Sequence, residues 1–324
     1  DVVATVTNRY VSDPDIWMMF GFYGSSEAQA AGLQAARGGL SVIASSGGAE
    51  FLTTDADNIM IMVPRLPSMG YTWAEVCKSY YGGTKIADLS PDASYIPDFR
   101  AGLKAGIEDL GLELVAEEDY PSSGTTDFAP FLTKIAQSGP DCITVGSWPP
   151  EQCQIIKQAR DMGITAPILD LSASGTSQAC AESAGEDYVG ALFGQYLKLP
   201  AEPGSLLDTV GAQYADEYGG QINSYAAYAY DSVLLAVQAI ADGASSREEM
   251  QEYMEKVDIP GLAGQIKFQD RRPTVRYFSI QEATGTNATD LEVISTYELK
   301  VDGTAELLEQ LSCADRPSCQ LNIG

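Results

Sequence analysis

The sequence predicts an α/β fold in which parallel sheets are covered by helices. Short, continuous apolar runs recur along the first two thirds of the chain, as expected for strands that are buried on both faces. Segments rich in helix-forming residues separate these runs, and turns of glycine and serine join the two. Strands that alternate with helices at this spacing indicate right-handed βαβ units, and 324 residues suffice for two domains of this kind.

The first strand and helix set the pattern for the elements that follow. After residues 1–10, which are typical of the end of a helix, an apolar run at 16–20 ends at Gly21, and a serine then provides a favoured N-cap for the helix predicted at 26–37. Apolar runs predict further strands at 40–44, 59–63, 84–89, 112–116, 141–146, 166–171 and 189–193. Apolar residues at helical spacing predict helices at 71–80, 97–110, 127–137 and 151–162.

The alternation of strands and helices changes in the last third of the chain. Residues 200–204 form a connecting loop, and the helix predicted at 224–242 is strongly apolar on one side. A capping box formed by Ser246 and Glu249 indicates that a second helix begins there. Strands are predicted at 265–268, 275–280 and 291–297.

Composition excludes several classes of function. Lys plus Arg is 19 against Asp plus Glu 45, and the net charge of −26 disfavours binding to nucleic acid or to an anionic membrane surface. The chain contains no histidine, which excludes Ser-His-Asp and Cys-His catalysis and histidine-ligated zinc. No stretch approaches the roughly 18 apolar residues of a membrane span. Rossmann, Walker and nucleophile-elbow motifs are absent as well, so no residue pattern supports an enzyme.

The six cysteines favour an oxidising compartment, because their number is even and none forms a CxxC pair. Cys313 and Cys319 flank a short polar turn near the C-terminus, and they are the first candidates for a disulfide. Cys153 and Cys180, which both lie near strand-end turns, are the second candidates. Cys142 begins an apolar strand and is interpreted as a small buried hydrophobic residue.

Small hydroxyl and aromatic residues recur in the turns at the carboxyl ends of predicted strands. These turns lie at residues 23–26, 45–48, 94–95, 147–148 and 171–172. The first also opens a helix, whose free backbone N–H groups attract anions, although an ordinary capped turn explains this stretch equally well. Open α/β sheets bind ligands at the carboxyl ends of their strands, so five such turns in phase predict a pocket for a small molecule.

Seven segments of the chain resemble those of a known family. The segments that carry the resemblance are, in order, FGFYGSSEAQA, SVIASSGG, SPDASYIPDFRAGLKAGIEDLG and PDCITVGSWPPEQCQIIKQARDMGI, followed by SAGEDYVG, AYAYDSVLLAVQAI and LAGQIKFQDRR. Together they are similar to the type I periplasmic solute-binding proteins of branched-chain amino acid ABC transporters, the leucine/isoleucine/valine-binding family. The resemblance extends over nearly the whole length.

The resemblance implies two doubly wound parallel-sheet lobes joined by three crossovers. Lobe I would comprise residues 1–65 and 196–273, and lobe II residues 66–195 and 274–324. The family begins with a strand, a helix and another strand before the position of Asp1. We therefore expect the first lobe to be visibly incomplete, or another segment to take the place of that opening.

The resemblance also implies a set of ligand-binding residues. Ser25, Ser26, Ser46, Gly47 and Gly48 would hold a ligand carboxylate, with Tyr23 beside them. Tyr95, Trp148 and Tyr230 would form the walls of the pocket.

Two positions depart from the family pattern. Ser172 stands where the family has an acid that pairs with the ligand ammonium, so Asp170 and Asp231 are the candidate substitutes. Gly48 stands where Thr or Ser is usual. Both departures weaken the case for an α-amino acid ligand.

The function that these observations predict is ligand capture by hinge closure, followed by delivery to a membrane ABC permease. The ligand would be a small carboxylate with an apolar or aromatic body, with an amino acid as first alternative. We expect a monomer without cofactor, metal or nucleic acid, located in the periplasm or outside the cell and lipid-anchored before processing. A ligand-sensing domain of the same fold and a small-molecule enzyme are the alternatives. Gene neighbours would separate the transport protein from the ligand-sensing domain, and the enzyme would require a catalytic group in the cleft.

Overall fold

A small parallel sheet forms the first part of the molecule. The computed structural model describes residues 2–45, 48–313 and 316–321. Helix α1 (Val2–Val11) precedes β1 (Met18–Phe20), and α2 (Ser25–Ala36) leads to β2 (Ser41–Ala44); α3 (Leu52–Asp55) leads to β3 (Ile59–Ile61). The sheet order is β1-β2-β3, with every pair parallel. Among the described residues, β1 pairs on one side only; the expectation of an absent opening segment stays a prediction.

The next part of the chain alternates strands and helices as the sequence predicts. The strands are β4 (Lys85–Pro91), β5 (Glu113–Tyr120), β6 (Cys142–Val145), β7 (Ile168–Asp170) and β8 (Leu192–Gln195). The helices are α4 (Leu66–Ser79), α5 (Ile96–Leu110), α6 (Ala129–Ser138), α7 (Glu151–Asp161) and α8 (Gln178–Ala184). Helix α4 begins five residues before its predicted start, because the first turn of a helix tolerates Pro67.

The last third adds helices and antiparallel strands. The helices are α9 (Leu206–Tyr218), α10 (Ser224–Ala241) and α11 (Arg247–Lys256), and α12 (Pro317–Leu321) is the last helix described. The strands are β9 (Asp258–Gly261), β10 (Gly264–Gln269), β11 (Arg272–Pro273), β12 (Val275–Ala283), β13 (Leu291–Lys300) and β14 (Ala305–Gln310). Strands β9–β11 form their own antiparallel sheet. Strands β12–β14 extend the large sheet, whose order is β14-β13-β12-β8-β7-β6-β4-β5.

Three disulfides connect the six cysteines. The predicted bridges Cys313–Cys319 and Cys153–Cys180 are both confirmed. Cys142 is buried, as interpreted, but the third bridge was not predicted: Cys142 is bonded to Cys77 across 65 residues of sequence. This bridge ties helix α4 to strand β6, an arrangement that arises only when the helix packs against the large sheet.

Helices α4 and α5 pack closely enough to require glycine at their contact. A Cβ atom on Gly102 would overlap the carbonyl oxygen of Pro67, and one on Gly70 would overlap that of Phe99. Within the described ranges, no helix combines the length and apolar character needed to span a membrane. The same part of the chain contains no cluster of three His, Cys, Asp or Glu side chains suited to a metal ion.

Candidate ligand-binding site

A cavity of about 310 Å³ lies between the first sheet and the large sheet. The first sheet contributes the turn after β1, Gly48 after β2 and Val63 after β3. The large sheet contributes residues that follow β4, β5, β6, β7 and β8, and the first turns of α4 add Leu66 and Met69. The cavity therefore lies where open α/β sheets bind ligands, at the carboxyl ends of their strands.

The start of helix α2 forms one wall. Gly24 is the N-cap of this helix, and Ser25, its first residue, is 5% exposed. The Oγ of Ser25 accepts a hydrogen bond of 3.2 Å from the backbone N–H of Ala49, which leaves the hydroxyl hydrogen available as a donor. The first N–H groups of a helix have no acceptor within the helix. This wall therefore offers hydrogen-bond donors and the positive end of the helix dipole to an anionic group.

Aromatic rings from the turn after β1, from the large sheet and from α10 form a cluster at the cavity. The ring of Tyr23 lies 5.0 Å from that of Trp148 and 5.1 Å from that of Tyr225, centroid to centroid. Tyr95 and Tyr196 extend the cluster at 5.6 Å from Trp148 and 6.2 Å from Tyr225 respectively. Such rings present large apolar faces for the body of a ligand.

Hydroxyl groups connect the two sides of the cavity. The Tyr23 hydroxyl lies 3.3 Å from Ser174 Oγ, and Ser26 Oγ lies 3.1 Å from Ser94 Oγ. Tyr23 lies in the turn after β1 and Ser26 in the first turn of α2, whereas Ser94 and Ser174 follow strands of the large sheet. These contacts therefore bridge the two sheets across the cavity.

The ionisable side chains at the cavity are acids and tyrosines. Among its described lining residues, Glu27 and Glu151 carry carboxylates and none is Lys or Arg. Burial raises the pKa of Tyr23 and raises those of Tyr95 and Tyr196 well above the usual phenol value. These phenols therefore stay neutral, and those of Tyr95 and Tyr196 donate to the carbonyls of Gly146 and Leu171 at 2.7 and 2.8 Å.

A buried arginine holds the loop that carries Gly48. Arg272 is 3% exposed, and its Nη2 donates to the carbonyl of Ala49 at 3.0 Å. Its guanidinium also lies 3.5 Å from the carboxylate of Glu50, whose backbone N–H donates to Asp98 at 2.8 Å. Asp98 lies on α5, so this network ties the loop after β2 to the helices that flank the large sheet.

Comparison with known proteins identifies the family. The model of the family described as periplasmic binding protein matches residues 1–287. The chain belongs to this family. Its fold is that of the type I periplasmic binding proteins, as its sequence predicts.

Relatives and solved structures agree with this assignment. An amino acid binding protein from Pseudomonas aeruginosa is 23% identical over 189 residues, which are 58% of this chain and 50% of that protein. This periplasmic binding protein therefore spans about half the length of that relative. The branched-chain amino acid transporter substrate binding protein LivJ from Streptococcus pneumoniae, solved with isoleucine, has a TM-score of 0.78 at 24% identity, covering 94% of this chain and 83% of its own.

A second solved structure shows another kind of ligand. The solute binding protein of an ABC transporter from Rhodopseudomonas palustris, solved with 3,4-dihydroxybenzoic acid, has a TM-score of 0.75 at 19% identity. The match covers 97% of this chain and 84% of that one. At these identities the likeness establishes the fold alone. The homologues are solute-binding proteins rather than enzymes.

Most of the predicted ligand residues gather at the cavity of this periplasmic binding protein. Five of them line it, namely Tyr23, Ser25, Gly48, Tyr95 and Trp148. Ser26 lies in the same turn, and Ser172 lies beneath the aromatic cluster with its Oγ 3.2 Å from the Tyr225 hydroxyl. Ser46 and Gly47 lie outside the described residues. Whether these residues bind a ligand stays a prediction.

The structure places Tyr230 away from the cavity. Its side chain is 39% exposed and lies with Phe20, Val233 and Val237 in a separate apolar groove along α10. The aromatic residue that α10 does send to the cluster is Tyr225, in its first turn. A step of five residues turns a helix by about 140°, so these two tyrosines cannot share a face.

The two candidate substitutes for the missing acid have structural partners. Asp231 is buried and accepts hydrogen bonds from the backbone N–H groups of Leu262 and Ala263 at 2.5 and 2.9 Å. Asp170 is buried, accepts from Ser172 N at 3.0 Å and contacts the Gln152 amide. Burial raises the pKa of both carboxyls, although these hydrogen bonds oppose the shift. Neither acid lines the cavity.

Sequence reasoning missed several residues of the site. Tyr225, Tyr196, Tyr120, Glu151 and Arg272 all contribute to it or support it. Tyr196 and Tyr120 could have been found, because each stands at the carboxyl end of a strand, where the five candidate turns were also found. The position of Arg272 depends on a contact across 223 residues, which no local pattern indicates.

Proposed function

We propose that this protein captures a small carboxylate-bearing ligand outside the cytoplasm and delivers it to a membrane ABC permease. The observation that carries the proposal is the cavity itself, which faces the hydroxyl of Ser25 and the start of α2 on one side and aromatic rings on the other. A carboxylate suits the first wall, and an apolar or aromatic body suits the second. Ser26 and Gly48 would complete the carboxylate site.

Hinge closure would enclose the ligand. The lobes would comprise residues 1–65 with 196–273 and residues 66–195 with 274–324, as the family resemblance implies. In support, the three strands of the first sheet all fall before residue 66, and the strands of the large sheet fall within the ranges assigned to lobe II. The contacts of Tyr23 with Ser174 and of Ser26 with Ser94 would form on closure and break on opening.

The location and assembly of the protein follow from this role. The family acts outside the cytoplasm, and three disulfides suit an oxidising compartment. We place the mature protein in the periplasm or outside the cell, as a monomer that docks on the permease. Before processing it would carry a lipid anchor.

A panel of matched acids and amides tests the carboxylate site. The probes are L-leucine with L-leucinamide and 4-hydroxybenzoate with 4-hydroxybenzamide, compared by thermal shift and then by calorimetry, because a bound ligand raises stability by mass action. Ser25→Ala should weaken the binding of the acids by about tenfold or more, since a hydrogen bond to a charged group is lost, and should change amide binding less.

A second helix-start serine provides the control. Ser205 caps α9, where its Oγ accepts from Asp208 N at 3.1 Å, away from the cavity. Ser205→Ala should lower stability without changing the ratio of acid to amide affinity. Equal loss of acid and amide affinity in Ser25→Ala would contradict the proposed carboxylate site.

A further inference from the structure

The charges that line the cavity indicate which other charged group the ligand carries besides its carboxylate. Its described lining residues include the carboxylates of Glu27 and Glu151 and no Lys or Arg. The whole chain carries a net charge of −26, whose field further disfavours anions at the mouth. A ligand with a net negative charge would enter this cavity against that field, whereas a ligand that also carries a cation would not.

The two carboxylates differ in their bonding. Glu27 is held within its own turn, because its Oε2 accepts a hydrogen bond of 3.2 Å from Gly24 N. Glu151, the first residue of α7, is half-buried and has no hydrogen-bond or ion-pair partner for its carboxylate among the described residues. It lies close enough to Tyr120 for its charge to raise the pKa of that phenol, after the larger effect of burial. Glu151 is therefore the acid at the cavity that is free to pair with a ligand.

The surroundings of Glu151 suit a cation. Trp148, three residues earlier on the same turn, presents its indole ring to the cavity together with Tyr23 and Tyr95. The faces of such rings attract ammonium and guanidinium groups. Glu151 belongs to the wall formed by the large sheet, whereas the donors of Ser25 and α2 belong to the wall formed by the first sheet. The two charged poles of a ligand would thus meet opposite walls.

We propose that the ligand is a zwitterion whose cationic group is separated from its carboxylate by an apolar spacer, the class of ω-amino and basic amino acids, and that Glu151 selects that cation. This inference rests on the proposed function, because it assumes that the carboxylate binds at Ser25. Glu151 would determine specificity by pairing with a group that neutral and purely acidic ligands lack. The aromatic rings would enclose the spacer between the two poles.

Matched ligand pairs test this directly. Lysine and norleucine differ by the terminal ammonium alone, and so do 4-aminobutyrate and butyrate. Calorimetry at pH 7 should show that the ammonium-bearing member of each pair binds about tenfold or more tightly. Glu151→Gln should abolish that difference by weakening the ammonium-bearing member and leaving the other within about twofold. Raising the salt concentration should shrink the difference as well.

Control variants separate selection of the ligand from support of the helix. Glu182→Gln removes an exposed acid from α8, away from the cavity, and should leave both ligand ratios unchanged. A role for Glu151 in stabilising α7 alone would lower the melting temperature of the unligated protein while the lysine-to-norleucine ratio stayed as in the wild type, and that result would overturn the inference.

The outcomes distinguish this inference from the proposed function. Tight binding of norleucine, butyrate or 4-hydroxybenzoate with no advantage for the ammonium-bearing partners would refute the cation and leave the carboxylate site standing. Absence of binding by every carboxylate in the panel would refute the proposed function itself, and the inference with it.

Discussion

Asp231 is the predicted ligand residue whose role the structure changes most clearly. Asp231 lies on the buried face of α10, and its carboxylate accepts hydrogen bonds from the N–H groups of Leu262 and Ala263, in the loop between β9 and β10. The loop approaches so closely that a Cβ atom on Gly261 would lie 2.8 Å from Asp231 Oδ1. Asp231 therefore connects α10 to the small antiparallel sheet.

The cost of removing this carboxylate follows from the two donors that it satisfies. Asp231→Ala leaves two backbone N–H groups buried without an acceptor, at about 1–3 kcal/mol each. The substitution also removes the cost of burying the carboxyl, which the raised pKa of Asp231 indicates. The net loss should lie near the lower part of the range, about 2–4 kcal/mol. The melting temperature should fall by about 4–10 °C.

Thermal unfolding followed by circular dichroism at pH 7 measures this effect. The control is Asp242→Ala, which removes an exposed carboxylate at the end of the same helix that accepts a hydrogen bond from Tyr253 at 2.8 Å. Its cost should be about 1 kcal/mol or less. Asp231→Ala should retain the ligand affinity of the wild type at temperatures where it is folded. Wild-type stability combined with lost affinity would show that Asp231 contacts the ligand instead.

Two further predictions concern the interior of the large sheet. Burial raises the pKa of Asp170 well above its usual value, so ionisation of this carboxyl destabilises the folded state increasingly as the pH rises above about 4. The melting temperature of Asp170→Asn should therefore rise relative to that of the wild type as the pH increases from 4 to 7. A difference between the two melting temperatures that stays constant with pH would refute this. Replacing both Cys77 and Cys142 by alanine opens a loop of 65 residues and should cost up to about 4 kcal/mol in urea unfolding by the chain-entropy argument, whereas an unchanged midpoint would refute that account.

The local pattern of the sequence was sufficient to predict most of the fold. Buried parallel strands appear as apolar runs, and helices between them repeat their apolar residues at helical spacing, so each element is encoded within a few residues. Helix α9 was missed because Leu207 is its one buried residue, so its apolar residues form no clear helical pattern. Ser205 caps its start. The disulfide of Cys77 was missed because it depends on how α4 packs on the sheet.

The candidate site was predictable where it depends on strand ends and unpredictable where it depends on helix rotation. Tyr95 and Trp148 follow strands directly, and the parallel sheet then places both at the cavity. Tyr225 and Tyr230 share one helix, and the choice between them depends on which face of α10 packs inward. An acidic residue at the start of a helix, such as Glu151, is ordinarily explained by the helix dipole. Only the cavity beside Glu151 suggests another role for it.

The measurement that tests the central claim most directly is a crystal structure of the protein grown with whichever of lysine, leucine and 4-hydroxybenzoate gives the largest thermal shift. The account predicts that the ligand carboxylate lies about 2.7–3.1 Å from Ser25 Oγ or from the first N–H groups of α2, with its body against Trp148 and Tyr95. A ligand bound outside this cavity, or bound within it with its carboxylate turned toward Glu151, would contradict the account.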